Sequence, residues 1–280
     1  MQVLCIRGAM NSPVATVRVV EEVEELRDYL LKDPIGRAYQ LGDLDSAHFP
    51  YATWYGAGVE DSLETLVLVY TGLSLPVLIS SGTTDGMRSI LEAYSDDLPR
   101  RVMLHMQPEH LEAFGGALAD HPLRPMVRMG MSLENFRPKE SSETLEIKQL
   151  SMGDIGEIMN LFGFYPDNFF EPAQLSTGHY YGIRSGGSLV SVAGVHVFSP
   201  QVRVACLGNI VTHPEYRGRG FSTHCTSYLC SQLAKAGIDL FALNVERSNS
   251  SAVRVYRKLG FEEHATYLEG EVSTLLQARR

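Results

Sequence analysis

Two arginines and two glycines interleave in Tyr216-Arg217-Gly218-Arg219-Gly220-Phe221-Ser222, between an apolar run and a segment of helical periodicity. The run before it is Cys206-Leu207-Gly208-Asn209-Ile210-Val211-Thr212-His213-Pro214. A strand, a tight basic turn and a helix make an anion cradle. Glycines let backbone N–H groups approach a phosphate, and the helix start adds a partial positive charge. The guanidinium charges of Arg217 and Arg219 persist at any working pH. A ligand that carries a pyrophosphate suits this chemistry. The spacing is neither G-x-G-x-x-G nor G-x-x-x-x-G-K-[ST], which excludes the two commonest nucleotide loops.

The elements that must hold this turn follow from periodicity. Thr144 to Leu150 reads as a strand, and Ser151 caps a helix with Ile155, Ile158 and Phe162 on its apolar side. His179 to Arg184 and Ser188 to Phe198 form a hairpin about Ser185-Gly186-Gly187. Val202 to Val211 is the next strand, and Gly218 to Lys235 a helix with Phe221, Cys225, Tyr228 and Leu229 on one face. Leu240 to Val245 is a buried strand, Ser248 to Leu259 a short helix ended by Gly260, and Phe261 to Glu269 a closing strand.

Upstream, the polar, proline-containing residues 138–143 read as a linker, which sets domains at 15–137 and 144–280. In the first of these, Val19 to Leu31 reads as an amphipathic helix and Thr65 to Tyr70 and Pro76 to Ile79 as strands. Gly86 to Tyr94 and Glu109 to Leu118 read as helices, and Arg101 to Met106 and Val127 to Phe136 as strands. The order is like that of the second half. Its cradle region, residues 80–86, has no arginine and carries Asp85, which would repel a pyrophosphate. Residues 1–14 show no periodicity and are expected to be irregular or disordered.

The turn resembles motif A of the GNAT (general N-acetyltransferase) superfamily, [QR]-x-x-G-x-[GA]. Arg217 and Gly220 match, and Ser222 stands where the motif has Gly or Ala. A second motif of that family follows at the expected distance: Asn249, then Tyr256-Arg257-Lys258-Leu259-Gly260-Phe261. The resemblance covers roughly residues 144 to 270. It implies an α/β (α+β) GNAT fold, a mixed central sheet whose central parallel strands splay apart, flanked by helices. With the first half read as a degenerate GNAT-like domain lacking the cofactor motif, the chain becomes a tandem pair.

The resemblance also implies a chemistry. Acetyl-CoA (coenzyme A) would be the cofactor, and the acceptor would be the amine of a small or amino-acid-like molecule, attacking directly in a ternary complex. Ile210, Val211 and Thr212 would face pantetheine through their backbone. Arg217, Gly218, Arg219, Gly220, Phe221 and Ser222 would cradle the phosphates, with Asn249 on the cofactor arm. Tyr256 aligns with the residue that acts as general acid in many relatives, and a phenol of ordinary pKa about 10 suits an alkyl thiolate. Many relatives carry a glutamate base on the fourth strand; Asn209 stands near that point and cannot take a proton. His196, Glu246 and a water chain are left as candidates for the base. Longer-chain acyl or aminoacyl transfer, and a CoA-binding regulatory protein without turnover, are the alternative readings on the same fold. Plain structural roles compete for three residues: Tyr256 shares an apolar face with Ala252, Val255 and Leu259, Asn249 suits a helix N-cap, and His196 suits a hydrogen-bonded structural histidine.

Composition sets limits. A chain of 280 residues suits two domains, and a net charge of −9 argues against nucleic acid as a partner. No run approaches the ~18 apolar residues of a membrane helix, and no secretory leader is read at the start. Cys5, Cys206, Cys225 and Cys230 contain no C-x-x-C pair and read as reduced thiols of a cytoplasmic protein without a metal site. A homodimer is compatible with these features.

Overall fold

The structure, a computed structural model, describes residues 4–5, 15–60, 62–139, 145–166 and 168–273. The chain divides into two compact units, Met1–Val127 with Thr266–Arg280, and Arg128–Ala265. In chain order the first unit holds β1 (Leu4–Cys5), β2 (Ala15–Val19), α1 (Val23–Leu30), α2 (Ala38–Gly42), β3 (Ala52–Val59), β4 (Thr65–Tyr70), β5 (Val77–Ser81), α3 (Thr84–Tyr94) and β6 (Arg101–Met106). Strand β7 (Arg124–Ser132) crosses into the second unit. That unit continues with β8 (Ile147–Gln149), α4 (Ile155–Phe162), β9 (Tyr181–Ser185), β10 (Ser188–Ser199), β11 (Val204–Thr212), α5 (Phe221–Lys235), β12 (Leu240–Glu246) and α6 (Ser250–Leu259). Strand β13 (Glu262–Ser273) crosses back.

The first unit's strands lie in the order β1-β2-β3-β4-β5-β6-β13, antiparallel except for β5 and β6. Helix α3 packs on β2, β3 and β4, and its buried Met87, Ile90 and Leu91 share one core cluster with Val67, Leu78 and Val102. Full burial of each such side chain stabilises by about 1.5–3 kcal/mol. The second unit's strands lie in the order β7-β12-β11-β10-β9-β8, and α4 and α5 both pack on β10 and β11.

Most expected elements are present within a few residues. The expected boundary at 138–143 differs from the structure, where the units part at Val127/Arg128 and residues 266–280 return to the first. The closing strands cause this: β13 takes the place beside β6 from Leu268↔Met106 to Ser273↔Arg101, while β7 lies beside β12. A polar stretch marks where packing pauses along the chain, not which sheet a strand joins. Lys139 is docked through its N–H to Ser227 Oγ at 2.7 Å, and residues 140–144 lie outside the described residues.

Two further expectations are corrected. Val19 ends strand β2 and does not begin a helix; its neighbour Val20 donates its N–H to Trp54 O at 2.8 Å. The helix expected over Glu109 to Leu118 is a 3-10 segment, Pro108–Phe114, ended by Gly115 at φ 56 and Gly116 at φ 89. Of residues 1–14, Leu4 and Cys5 pair with Val17 and Thr16, and the rest lie outside the described residues. Among the described residues no helix is long and apolar enough to cross a membrane, and no cluster of His, Cys, Asp or Glu could hold a metal ion.

Candidate active site

In the second unit β11 and β12 run parallel, in register from Val204↔Leu240 to Leu207↔Leu243. Their pairing ends there, although the strands run on to Thr212 and Glu246. The cause lies on the other edge of β11. Gly194 pairs with Gly208 and Val192 with Val211, so Asn209 and Ile210 together oppose Ala193. This is a β-bulge, which bends and twists the strand that carries it. Asn209 adopts φ 54, a conformation that asparagine tolerates better than most residues.

Hydrogen bonds fix the bulge. Asn209 is 3% exposed. Its Oδ1 accepts from Asn168 Nδ2 at 2.9 Å, and its Nδ2 donates to the Tyr180 hydroxyl at 2.8 Å and to Gln174 Oε1 at 3.1 Å. Tyr180 in turn donates to Val195 O at 3.0 Å. The network needs one group that both accepts and donates twice, which an amide supplies and a carboxylate does not. Asn209 therefore shapes the opening between the strands and leaves proton transfer to other groups.

Below the opening lies the basic turn. Gly218 and Gly220 take φ 75 and φ 80, conformations that favour glycine. Helix α5 begins without a side-chain cap and with no acid in its first turn, so its leading N–H groups are offered to a ligand. Both arginines rest on tyrosines. Arg217 Nη2 donates to the Tyr165 hydroxyl at 2.8 Å, and that hydroxyl donates to Thr212 O. Arg219 lies 4.9 Å from the centroid of the Tyr216 ring.

Helix α6 brings the second motif. Asn249 Oδ1 accepts from Ala252 N at 3.1 Å, the N-cap role. Tyr256 is 6% exposed, and burial pushes its phenol well above the usual range, with the neighbouring Cys230 thiol adding to the shift. It keeps its proton at neutral pH.

Residues 152–261 match the family described as Acetyltransferase (GNAT) family. This segment is a GNAT domain. A stretch of 108 residues is 31% identical to a mycothiol acetyltransferase of Tsukamurella paurometabola, covering 36% of each chain. Another 59 residues are 36% identical to the ribosomal protein bS18 alanine N-acetyltransferase of Escherichia coli, covering 21% of this chain and 40% of that protein. The chain thus spans two fifths or less of the curated relatives it matches. In fold it resembles a Drosophila protein, with TM-score 0.68 at 14% identity over 91% of this chain and 98% of the other. It also resembles a tandem GNAT protein of the clavulanic acid biosynthesis pathway, with TM-score 0.53 at 11% identity over 94% and 99%. The chain therefore has a mixed α/β fold, a mixed sheet flanked by helices, like that of these structures.

The remaining expected residues lie on β10, β11, β12 and α5 of the GNAT domain. Ile210 and Thr212 are half-buried and Val211 buried on β11 beyond the bulge; Phe221 and Ser222 open α5. His196 is itself an extra residue on β10, between the pairs Val195↔Leu207 and Val197↔Cys206. Its ring fills the space a side chain at Gly208 would need, with Nε2 2.2 Å from where a Cβ would stand. Glu246 is exposed at the end of β12, where its carboxylate accepts from Ser248 Oγ at 2.5 Å. Phe170 packs edge-on against Phe162 and Tyr180. Cys225 and Cys230 are buried, and burial raises both thiols, Cys225 to about 12, so neither is a nucleophile.

Sequence reasoning missed Arg128 and Asn244. Arg128 is 1% exposed and donates from Nε to Asn244 Oδ1 at 2.6 Å. A signal existed: an arginine inside the otherwise apolar run Met126-Val127-Arg128-Met129-Gly130-Met131.

The corresponding turn of the first unit is closed by its own side chains. Thr83 Oγ1 caps α3 by accepting from Gly86 N at 3.0 Å, and Asp85 lies in the first helical turn. Gly82 donates its N–H to Gln107 Oε1 at 2.9 Å. His110, fully buried and kept neutral by that burial, joins Ser80 Oγ at 2.8 Å to Gly82 O at 3.1 Å. The carbonyl only accepts, so Nε2 carries the hydrogen and Ser80 donates to Nδ1.

Proposed function

We propose that the protein is an acetyl-CoA-dependent N-acetyltransferase, with its activity in the GNAT domain and an amine of a small or amino-acid-like molecule as acceptor. The observation that carries this reading is the end of β11–β12 pairing at Leu207/Leu243 beside the uncapped start of α5. The residues fit the cofactor: two arginines, two left-handed glycines and unclaimed helix amides form an anion site. Arg217 to Ser222 hold the diphosphate, the backbone of Ile210 to Thr212 aligns the pantetheine arm, and Asn249 borders it. Acetyl-CoA, when bound, supplies an acetyl group as a thioester. Tyr256 stores a proton at Oη that a departing thiolate requires. An ammonium acceptor must lose a proton before it attacks, and His196 and Glu246 are the side chains proposed to take it. The pH profiles of their variants assign that role. The first unit, its cradle closed by Thr83, Gln107 and His110, binds no cofactor in this reading.

Thermal unfolding with and without acetyl-CoA tests the proposal in wild type and in Arg219→Glu. Ligand at about 100 times its Kd adds roughly 2.7 kcal/mol to the unit that binds it. The melting temperature of wild type should rise by several degrees, and that of Arg219→Glu should not. No rise in wild type defeats the reading. A rise without turnover on any amine would favour a CoA-binding regulatory protein.

A further inference from the structure

The strand opening has a polar wall that the motifs do not describe. Leu243 is the last residue of β12 paired with β11, so Asn244 is the first to border the opening. Continuing the register sets Asn244 opposite Gly208, and in parallel strands such partners share a face. The His196 ring lies on that face, in the space over Gly208. On the far side of β12, β7 contributes Arg128 to the same carboxamide. His196, Asn244 and Arg128 therefore form a row on one face, at the level where the strands part.

Arginine has five N–H donors and no acceptor. Its partner at 2.6 Å must be the carboxamide oxygen, whichever way the amide is first drawn. Asn244 is thereby locked: Oδ1 is turned to the buried guanidinium, and the two N–H donors of Nδ2 remain for whatever lies beyond. Arg128 is fully buried, whereas Asn244 is only half-buried. The guanidinium reaches the opening through the amide, and its charge polarises the Nδ2 donors toward an electron-rich oxygen.

We infer that Asn244 is the acceptor-recognition residue of this site and that it selects amines bearing an acyl oxygen, carboxylate or carboxamide, on the carbon next to nitrogen. Arg128 is its positioning residue. The inference rests on the acetyltransferase reading above. A bare alkylamine would leave the Nδ2 donors unanswered, which a site built around a hydrogen bond penalises.

Alaninamide and isopropylamine, which differ by a carboxamide in place of a methyl group, are compared as acceptors with alanine as the carboxylate arm. Wild type should favour the acyl-bearing amines by about tenfold or more in kcat/KM, the worth of one good hydrogen bond. Asn244→Asp keeps the shape and the bond to Arg128 but presents an oxygen to the acceptor. It should raise KM for alanine and alaninamide about tenfold relative to KM for isopropylamine, so that the preference is lost. Arg128→Lys should keep part of the preference and Arg128→Met lose it. Equal losses on all three amines, or a preference that survives Asn244→Asp, overturns the inference. A readout without turnover is the 15N side-chain amide signal of Asn244 on adding N-acetylalaninamide. It should shift there and not with N-isopropylacetamide, and the absence of a difference also overturns the inference. Acetyl-CoA binding that persists in every variant separates that failure from failure of the transferase reading.

Discussion

At the residue scale, burial sets the chemistry of two acidic groups. Tyr256 is held protonated well above neutral pH by its surroundings, so the donor form is present although burial makes it a weaker acid than a free phenol. Tyr256→Phe removes the hydroxyl and leaves the packing on Phe261. Steady-state kinetics should show kcat lower by about 10²–10⁴-fold with acetyl-CoA stabilisation retained; a loss under threefold would remove Tyr256 from the role. Asp43, at the end of α2, is 5% exposed, and burial alone raises its carboxyl to about 8. A raised pKa favours the protonated form in the folded state. Its stabilising contribution is complete below the unfolded value of about 3.9 and is lost as pH rises through about 8. Asp43→Asn is neutral throughout. Its melting temperature should match wild type near pH 4 and exceed it by on the order of 5–10 °C at pH 8. Parallel pH curves for the two proteins would refute this assignment. Arg217, Gly220, Asn249 and Tyr256 were legible in the sequence because their spacing carries their meaning. Asp43 was not, since its burial depends on partners distant in the chain, and the apolar run around Arg128 signals burial without naming Asn244 as the partner.

At the element scale, the site is made by a single irregularity in β11. Alternation of apolar residues located the strand from Val202 to Val211, and the structure gives Val204–Thr212. Alternation does not reveal a bulge, because the extra residue shows only against the partner strand. The positive φ of Asn209 and its three amide hydrogen bonds maintain that bulge. Asn209→Asp tolerates the same backbone and isolates the network: two donors become acceptors facing the Tyr180 hydroxyl and Gln174 Oε1. Denaturant unfolding should show a loss of about 2–3 kcal/mol. A stability equal to wild type would mean that the backbone, not the amide, holds the strand opening. The segment Glu109 to Leu118 departs from the expected α-helix for a related reason. Helical spacing was present, but Pro108 at its start and two left-handed glycines at its end restrict it to a 3-10 segment.

At the scale of the whole molecule, the two halves repeat one order of elements but do not keep their closing strands. Beyond Leu268, β13 completes the first unit's sheet, and Val272 is fully buried in that unit's core. β7 supplies the strand beside β12 and, with it, the guanidinium behind Asn244. Sequence periodicity finds strands without assigning them to sheets, so the linker at 138–143 was a reasonable but incorrect place to divide the chain. The exchange has a consequence for truncation. Ending the chain after Ala265 leaves most of the GNAT domain's sequence intact and removes β13 from Thr266 onward. It uncovers the N–H and C=O groups of β6 from Arg101 to Met106 and takes Val272 out of the first unit's core. Limited proteolysis of this truncated chain should therefore cut first within residues 15–127, although the deletion is at the opposite end of the sequence. Cuts confined to residues 146–265 would show that β13 stabilises the unit it is encoded beside and not the one whose sheet it completes.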